Sequence, residues 1–275
     1  DSVMPTLPFY QIDAFASKPF EGNQACIMPL ETFLPDETLQ AIAAENNVAE
    51  TAYIVPAGEG VWTLRWFTPS VEVPLCGHAT LGTAHVLYQE LGYTGEAIAF
   101  DTMKSGRLHV RRLKDGRLEM DFPSAPIQEI PVTDEVADAL GTRPVQAWGG
   151  MFYAARFETP EDVRALKPNL KALKNLGAPG EGWDRGNFGC FAAGGDGVAV
   201  TSRFFAPGSG IDEDPATGSW HTMLARIMSE RFGLDEMSCY QAYPGRGAKI
   251  DTRLEGDRAK LVGRAVTVIE GSFRL

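Results

Sequence analysis

Two stretches decide the reading of this chain. Arg65-Trp66-Phe67-Thr68-Pro69 is followed by Gly77-His78 and an apolar run to Gly92; Arg203-Phe204-Phe205-Ala206-Pro207 is followed by Gly218-Ser219 and a similar run to Gly233. The glycines that bound each run are 15 residues apart in both copies. Chance likeness of two Gly-rich loops would not reproduce that interval, so the pattern is a duplicated strand, loop and helix. Each copy sets a polar side chain, His78 or Ser219, where a helix begins and its first backbone amides point outward unpaired. Two such helix ends facing each other would form an anion-binding cleft between two related halves.

Working outward, residues 9–15 and 24–29 read as strands, and 35–46 as a helix with Leu39, Ile42 and Ala43 on one face. The β-branched and aromatic stretches 51–55 and 61–67 read as strands, 69–76 as a loop and 77–91 as a helix. Segments 107–112 and 117–122 flank Asp115-Gly116, a hairpin signal because that pair tolerates positive φ. The proline-rich 123–131 marks the crossing between halves. Beyond it come a short helix at 134–140, strands through 145–157 and weak helical segments within 161–176. A Gly-rich loop at 177–189, a strand at 198–205, a loop at 208–215 and a helix at 218–232 follow, and the remainder reads as strands with turns at 245–247 and 256–257.

At 275 residues the chain has room for two domains on a prior of roughly 100–200 residues each. A net charge of −11 argues against a nucleic-acid or anionic-membrane partner, since both reward clustered Lys and Arg. Cys26, Cys76, Cys190 and Cys239 are too scattered for a zinc or redox pair, which fits a reducing cytoplasm. No apolar run approaches the roughly 20 residues of a membrane span, and the start lacks a charged segment followed by an apolar one. The expectation is a soluble, unexported protein. Asp1, Ser2 and Val3 precede Met4, as a tag remnant or a longer natural start.

His78 lies between Gly77 and Ala79, where small neighbours let a ligand approach, and imidazole hydrogen-bonds or moves protons near neutral pH; the alternative is a helix-capping histidine. His85 and His221 supply no third metal ligand at sensible spacing, so no metal is expected. Asp212, Glu213 and Asp214 precede the small-residue run Pro215-Ala216-Thr217-Gly218-Ser219; acids there favour the helix dipole, and the small side chains leave room for a substrate. Ser219 lacks the nucleophile-elbow pattern, since position 221 is His, and suits substrate hydrogen bonding better. Glu50, flanked by Val48, Ala49, Thr51 and Ala52, is placed to be partly desolvated and to shuttle a proton, although an isolated Glu is more often a surface residue. Cys76 beside Gly77 is chemically capable of thiolate chemistry, but its counterpart is Thr217, so packing is the favoured role. No phosphate loop or dinucleotide fingerprint is present, and nothing calls for a cofactor.

Taken in order, residues 9–15 (Phe9, Tyr10, Gln11, Ile12, Asp13, Ala14, Phe15) with Phe20, Gly22 and Asn23, then Ala49-Glu50-Thr51, Leu75-Cys76-Gly77-His78-Ala79-Thr80, 202–207 and 213–219 resemble the PhzF family of phenazine-biosynthesis isomerases. The resemblance implies a diaminopimelate epimerase-like α+β fold of two pseudo-symmetric halves, each a barrel-like, mostly antiparallel sheet around a central helix, with the active site between them. It implies that the last strand returns to the first half, giving halves 1–124 with 264–275 and 125–263, and that the protein is a homodimer. It also implies a cofactor-independent isomerase or epimerase moving a proton on a small carboxylate-bearing substrate, as in isomerisation of trans-2,3-dihydro-3-hydroxyanthranilate. Carried over, Glu50 would move the proton, and His78 and Asp214 would contact the substrate and assist. Ser219 and the amides around Gly77 and Gly218 would hold its carboxylate. Trp220 departs from the pattern, where a small residue commonly follows the Ser; it either reshapes the pocket or packs in the core. A small-molecule binding protein on the same fold is the alternative, which has no need of a proton carrier.

Overall fold

The computed structural model describes residues 5–179 and 184–275. Residues 1–4 and 180–183, the latter within the loop expected at 177–189, lie outside the described residues. The chain divides into two compact units, one running through Asp121 and taking in Val262–Leu275, the other Phe122–Leu261.

In the first unit β1 (Thr6–Ala14) pairs antiparallel with β2 (Asn23–Pro29) and with the C-terminal strand Ala265–Arg274. α1 (Asp36–Asn46) crosses to β3 (Glu50–Gly58), parallel to β2, and β3 turns back into β4 (Val61–Phe67). A two-residue strand, β5 (Glu72–Val73), bridges to β4, and α2 (Gly77–His85) then crosses to β6 (Ala97–Asp101), parallel to β4. β7 (Arg107–Arg112) and β8 (Leu118–Pro123) complete the run as antiparallel neighbours.

The second unit opens with β9 (Gln128–Ile130), α3 (Asp134–Leu140) and β10 (Gln146–Gly149), which pairs with β9 and with β11 (Tyr153–Arg156). α4 (Pro160–Arg164) and α5 (Leu170–Leu173) lead to β12 (Phe188–Ala193), parallel to β11, and β13 (Val200–Phe205) returns beside it. The two-residue β14 (Glu213–Asp214) bridges to β13, and α6 (Gly218–Phe232) crosses to β15 (Glu236–Gln241), parallel to β13. β16 (Ala248–Glu255) and β17 (Arg258–Gly263) end the unit. The succession of crossover, hairpin, bridge and crossover is the same in both units, so the repeat extends well beyond the motif that reveals it.

Several local expectations differ from the structure. The helix expected over 77–91 widens at Val86–Glu90 into a π-helical turn, with the Leu91 N–H reaching the Val86 carbonyl at 3.0 Å, which keeps Val86, Leu87 and Tyr88 buried. Both expected loops, 69–76 and 208–215, contain a bridging strand, and the crossing at 123–131 contains β9. β12 begins inside the stretch expected as loop, because Gly189, Cys190, Ala192 and Ala193 are too small to carry a strand signal. Gly189 is small for a packing reason: a Cβ there would come within 2.3 Å of the Trp220 ring.

α2 and α6 are the central helices. α2 is buried from His78 to Ala84 on every side and touches β1, β2, β3 and the C-terminal strand, as a helix without a polar face must. Its two buried threonines lose nothing, since Thr80 and Thr83 donate to the Cys76 and Ala79 carbonyls at 2.7 Å. Around α6, strand alternation sends Trp148, Phe191 and Phe204 into a cluster with Trp220, Leu224 and Ile227. Their neighbours Ala147, Cys190 and Phe205 enter a second cluster with Leu140, Val163 and Leu173 from α3, α4 and α5. Among the described residues no helix is long and apolar enough to cross a membrane.

The arginine of each repeated motif is buried and forked. Arg203 donates Nε and Nη2 to Glu213 at 3.0 and 2.7 Å and Nη1 to the carbonyls of Val163, Arg164 and Leu166. Its guanidinium lies 4.8 Å from the Phe205 ring centre. Arg65 grips Glu72 at 2.6 and 2.9 Å, reaches Asp36 at 3.1 Å and lies 5.3 Å from the Phe67 ring centre. Each fork staples a bridging strand to its neighbour just ahead of a central helix.

The two forks differ in burial: the Glu213 side chain is 11% exposed and that of Glu72 35%. Glu213→Ala strands a buried cation and is expected to cost about 3–5 kcal/mol. Glu72→Ala leaves Arg65 its Asp36 partner and is expected to cost about 1 kcal/mol or less. Urea denaturation of the two variants checks this; equal losses would contradict it.

Candidate active site

The first unit carries one set of candidate side chains at the start of α2 and the adjoining ends of β2 and β3. The register sets Glu50, the first residue of β3, beside Ala25 of β2, one residue along from Gln24. Asn47, in the left-handed conformation, reverses the chain after α1 and so delivers Glu50 to that strand end. Glu50 is buried, at 7% exposure.

His78 reaches the same end of β2. Its Nε2 lies 3.1 Å from the Gln24 carbonyl. A carbonyl only accepts, so Nε2 carries the hydrogen and Nδ1 is left as an acceptor. Nδ1 lies 3.2 Å from the Cys76 sulfur and 3.5 Å from Asn23 Nδ2. Burial pushes His78 down to about 4, against the opposing pull of the Gln24 bond, so the ring is neutral at pH 7. Asn23 is held by the turn before it: Gly22 is left-handed, and a Cβ there would come within 2.0 Å of the Ala14 carbonyl oxygen.

Cys76 is not in the core. It is half-buried, with its sulfur against His78, whereas Cys26, Cys190 and Cys239 are buried and their thiols are pushed up by burial, Cys26 to about 12.

The second unit has a different set at the start of α6. Thr217, the residue before the helix, donates its hydroxyl to Asp214 Oδ2 at 2.6 Å. Gln241, fully buried on β15, accepts the Thr217 N–H at 2.8 Å. Its Nε2 donates to the Asp214 carbonyl at 2.7 Å and to the Thr217 hydroxyl oxygen at 3.1 Å. Gly218 is buried and Ser219 half-buried at the first two positions of α6. Trp220 turns into the core, with Nε1 donating to Ser202 Oγ at 3.1 Å, so of its two expected roles the structure shows packing. Sequence reasoning named Asn23 only among the family segments, without a role, and passed over Gln241. The available signal for Gln241 is a polar residue at the third inward position of a strand whose other inward residues are Met237 and Cys239.

Two further histidines, His221 and His85, serve the fold. His221 donates Nδ1–H to the Thr217 carbonyl at 2.8 Å, as its repeat counterpart Thr80 does to the Cys76 carbonyl, and burial pushes it down to about 4. His85 Nε2 lies 3.0 Å from Thr267 Oγ1. Among the described residues no three His, Cys, Asp or Glu side chains gather as a metal site would require.

The repeat exposes how the two sets diverged. Thr51 lies across from Phe67 and Phe188 across from Phe205, and these two phenylalanines occupy the same place in the motif, so Glu50 corresponds to Asn187. Asn187 is buried and donates to Ser209 Oγ at 3.1 Å. By the same alignment His78 corresponds to Ser219, Cys76 to Thr217 and Val73 to Asp214.

Two units of one topology, each with a polar cluster at the start of its central helix, define the diaminopimelate epimerase-like class. A predicted epimerase of Pseudomonas aeruginosa superposes with a TM-score of 0.70 over 97% of this chain and 99% of its own, at 21% identity. Within that class, the sequence model of the phenazine biosynthesis-like proteins, PhzC-PhzF, matches residues 12–271, and the chain belongs to this family. A PhzF family crystal structure from Enterococcus faecalis superposes with a TM-score of 0.91 at 36% identity, covering 98% of this chain and 100% of that one. An uncharacterized isomerase of Pseudomonas aeruginosa is 43% identical over 98% of this chain and 99% of its own length.

Two outcomes follow from the histidine and cysteine environments. His78 and His221 have folded-state values near 4, below the ordinary 6.5, so the folded chain refuses protons that the unfolded chain accepts. Their stabilising contribution is complete above pH 6.5 and is lost as the pH falls towards 4. The melting temperature is expected to drop between pH 7 and 5, with a shallower slope in His221→Gln; equal slopes would contradict it. Iodoacetamide is expected to label Cys76 before the three buried thiols, as peptide mass spectrometry would show.

Proposed function

We propose that this protein is an isomerase that moves a proton on a small carboxylate-bearing substrate without a cofactor, with Glu50 as the proton carrier. One observation carries the reading: of two positions equivalent by the repeat, one holds the buried carboxylate Glu50 and the other Asn187, which cannot titrate. A single carboxylate takes the proton from one carbon as a general base and returns it to another as a general acid. Neutral His78 keeps Nδ1 as an acceptor, facing Cys76 and Asn23 at the same end of β2, since its other nitrogen is committed to Gln24. Asp214 contacts the substrate's polar groups. Ser219 and the outward amides around Gly77 and Gly218 hold its carboxylate, as helix starts do for anions. The relative in Pseudomonas aeruginosa described as an isomerase, 43% identical, supports the reaction class. A dihydrohydroxyanthranilate-type ring acid is the substrate to try first.

A second reading rests on the 3.2 Å contact between the Cys76 sulfur and His78 Nδ1, an arrangement able to deprotonate the thiol and make it the proton carrier. The two separate in one experiment. Proton exchange is followed by NMR in heavy water with trans-2,3-dihydro-3-hydroxyanthranilate and a panel of cyclic and amino carboxylic acids. Wild type is expected to incorporate deuterium and Glu50→Gln to lose about 10²- to 10⁴-fold in rate, with Cys76→Ala close to wild type. Full activity in Glu50→Gln would refute the assignment, and loss in Cys76→Ala alone would transfer it to the thiol.

A further inference from the structure

We infer that Gln241 is the positioning residue of the Asp214 cluster: it sets the direction of the Thr217 hydroxyl and, through it, the orientation of the Asp214 carboxylate. The donor and acceptor inventory carries the argument. The Thr217 N–H can only donate, so the Gln241 atom that faces it at 2.8 Å is the carbonyl oxygen. The amide's orientation is thereby settled, and its NH₂ faces the Asp214 carbonyl at 2.7 Å and the Thr217 hydroxyl oxygen at 3.1 Å. An NH₂ has no lone pair to offer, so the hydroxyl oxygen accepts from it and the hydroxyl hydrogen is left to donate elsewhere. The oxygen it meets is Asp214 Oδ2, at 2.6 Å. The result is a one-way chain from the Gln241 amide through Thr217 to Asp214, each donor polarised by the one behind it.

Gln241 is suited to anchor such a chain. It is fully buried, and its strand β15 is registered against β13 with Gln241 beside Ser202, so the anchor is built on sheet and not on loop. Among the described residues the first unit has no equivalent chain. There Val73 stands in place of Asp214 and Cys76 in place of Thr217, so the arrangement is particular to this cluster and not a requirement of the fold.

The inference rests on the proposed role of Asp214, and its test has one arm that needs no turnover. In that arm, hydrogen exchange of the Thr217 amide is followed by NMR in the whole protein. Gln241→Leu is expected to speed it at least tenfold, and unchanged protection would overturn the inference whatever the enzyme does. In the second arm deuterium incorporation is measured with whichever acid of the panel wild type exchanges. Thr217→Val, which keeps the side-chain shape and loses the hydroxyl, and Gln241→Leu are each expected to lower kcat about 10- to 100-fold, with KM changed less than threefold. Thr217→Ser is expected to restore the rate, and the double variant Gln241→Leu/Thr217→Val to be no slower than the slower single, as members of one chain behave. Wild-type kcat in Thr217→Val, or losses that multiply in the double variant, would overturn it. Full exchange by Glu50→Gln alongside those losses would remove the proposed proton carrier and leave the positioning role standing.

Discussion

A buried guanidinium gripping a glutamate, once in each unit, is the constraint on which the rest of the structure turns. Arg203 spends its donors on Glu213 and on three backbone carbonyls at the end of α4, and Arg65 spends its own on Glu72 and Asp36. Such a pair adds little net stability over a well-packed apolar substitute, because the attraction mostly offsets the desolvation of both ions. What it adds is placement. The bridging strand it holds ends four residues before Gly77 in one unit and Gly218 in the other, so the start of each central helix has little freedom relative to its sheet.

On that shared frame the two polar clusters have taken different chemistry. The first has a neutral imidazole and a thiol at the start of α2 and a buried carboxylate at the start of β3. The second combines a carboxylate, a hydroxyl and a carboxamide at the start of α6. Position for position, Glu50 corresponds to Asn187 in the repeat and Asp214 to Val73, so neither carboxylate has a like residue at its equivalent position. In the proposed function, Glu50, which has no like residue in the other copy, is the group that carries the proton. What the copies share sets the fold, and the proposed function rests on where they differ.

The buried histidines show how the same residue type takes different work from its surroundings. His78 and His221 lie in central helices, and burial keeps both neutral. His221 spends its N–H on the carbonyl of the preceding turn, a structural bond that Thr80 makes in the other unit. His78 sends its N–H across to β2, which turns its free lone pair towards Cys76 and Asn23. Two positions along the repeated helix separate a functional candidate from a fold-serving one, through the direction of a single hydrogen bond.

By itself the sequence determined the duplication, the bounds of α3 and α6, the inward face of α1 and the short segments that carry the family. All of these depend on neighbours within a turn or a strand, or on a spacing repeated along the chain: Leu39, Ile42 and Ala43 recur at helical intervals, and Gly233 ends α6 wherever that helix is placed. Only the tertiary structure decided that Trp220 packs over Gly189, that β12 is a strand despite its small residues, that the Cys76 sulfur meets His78, and that Gln241 bonds Thr217. These are encounters between residues far apart in the chain or between side chains whose direction a helix start alone leaves open. Their energies come from one close contact or one donor meeting one acceptor, and no periodicity along the sequence records which partner that will be.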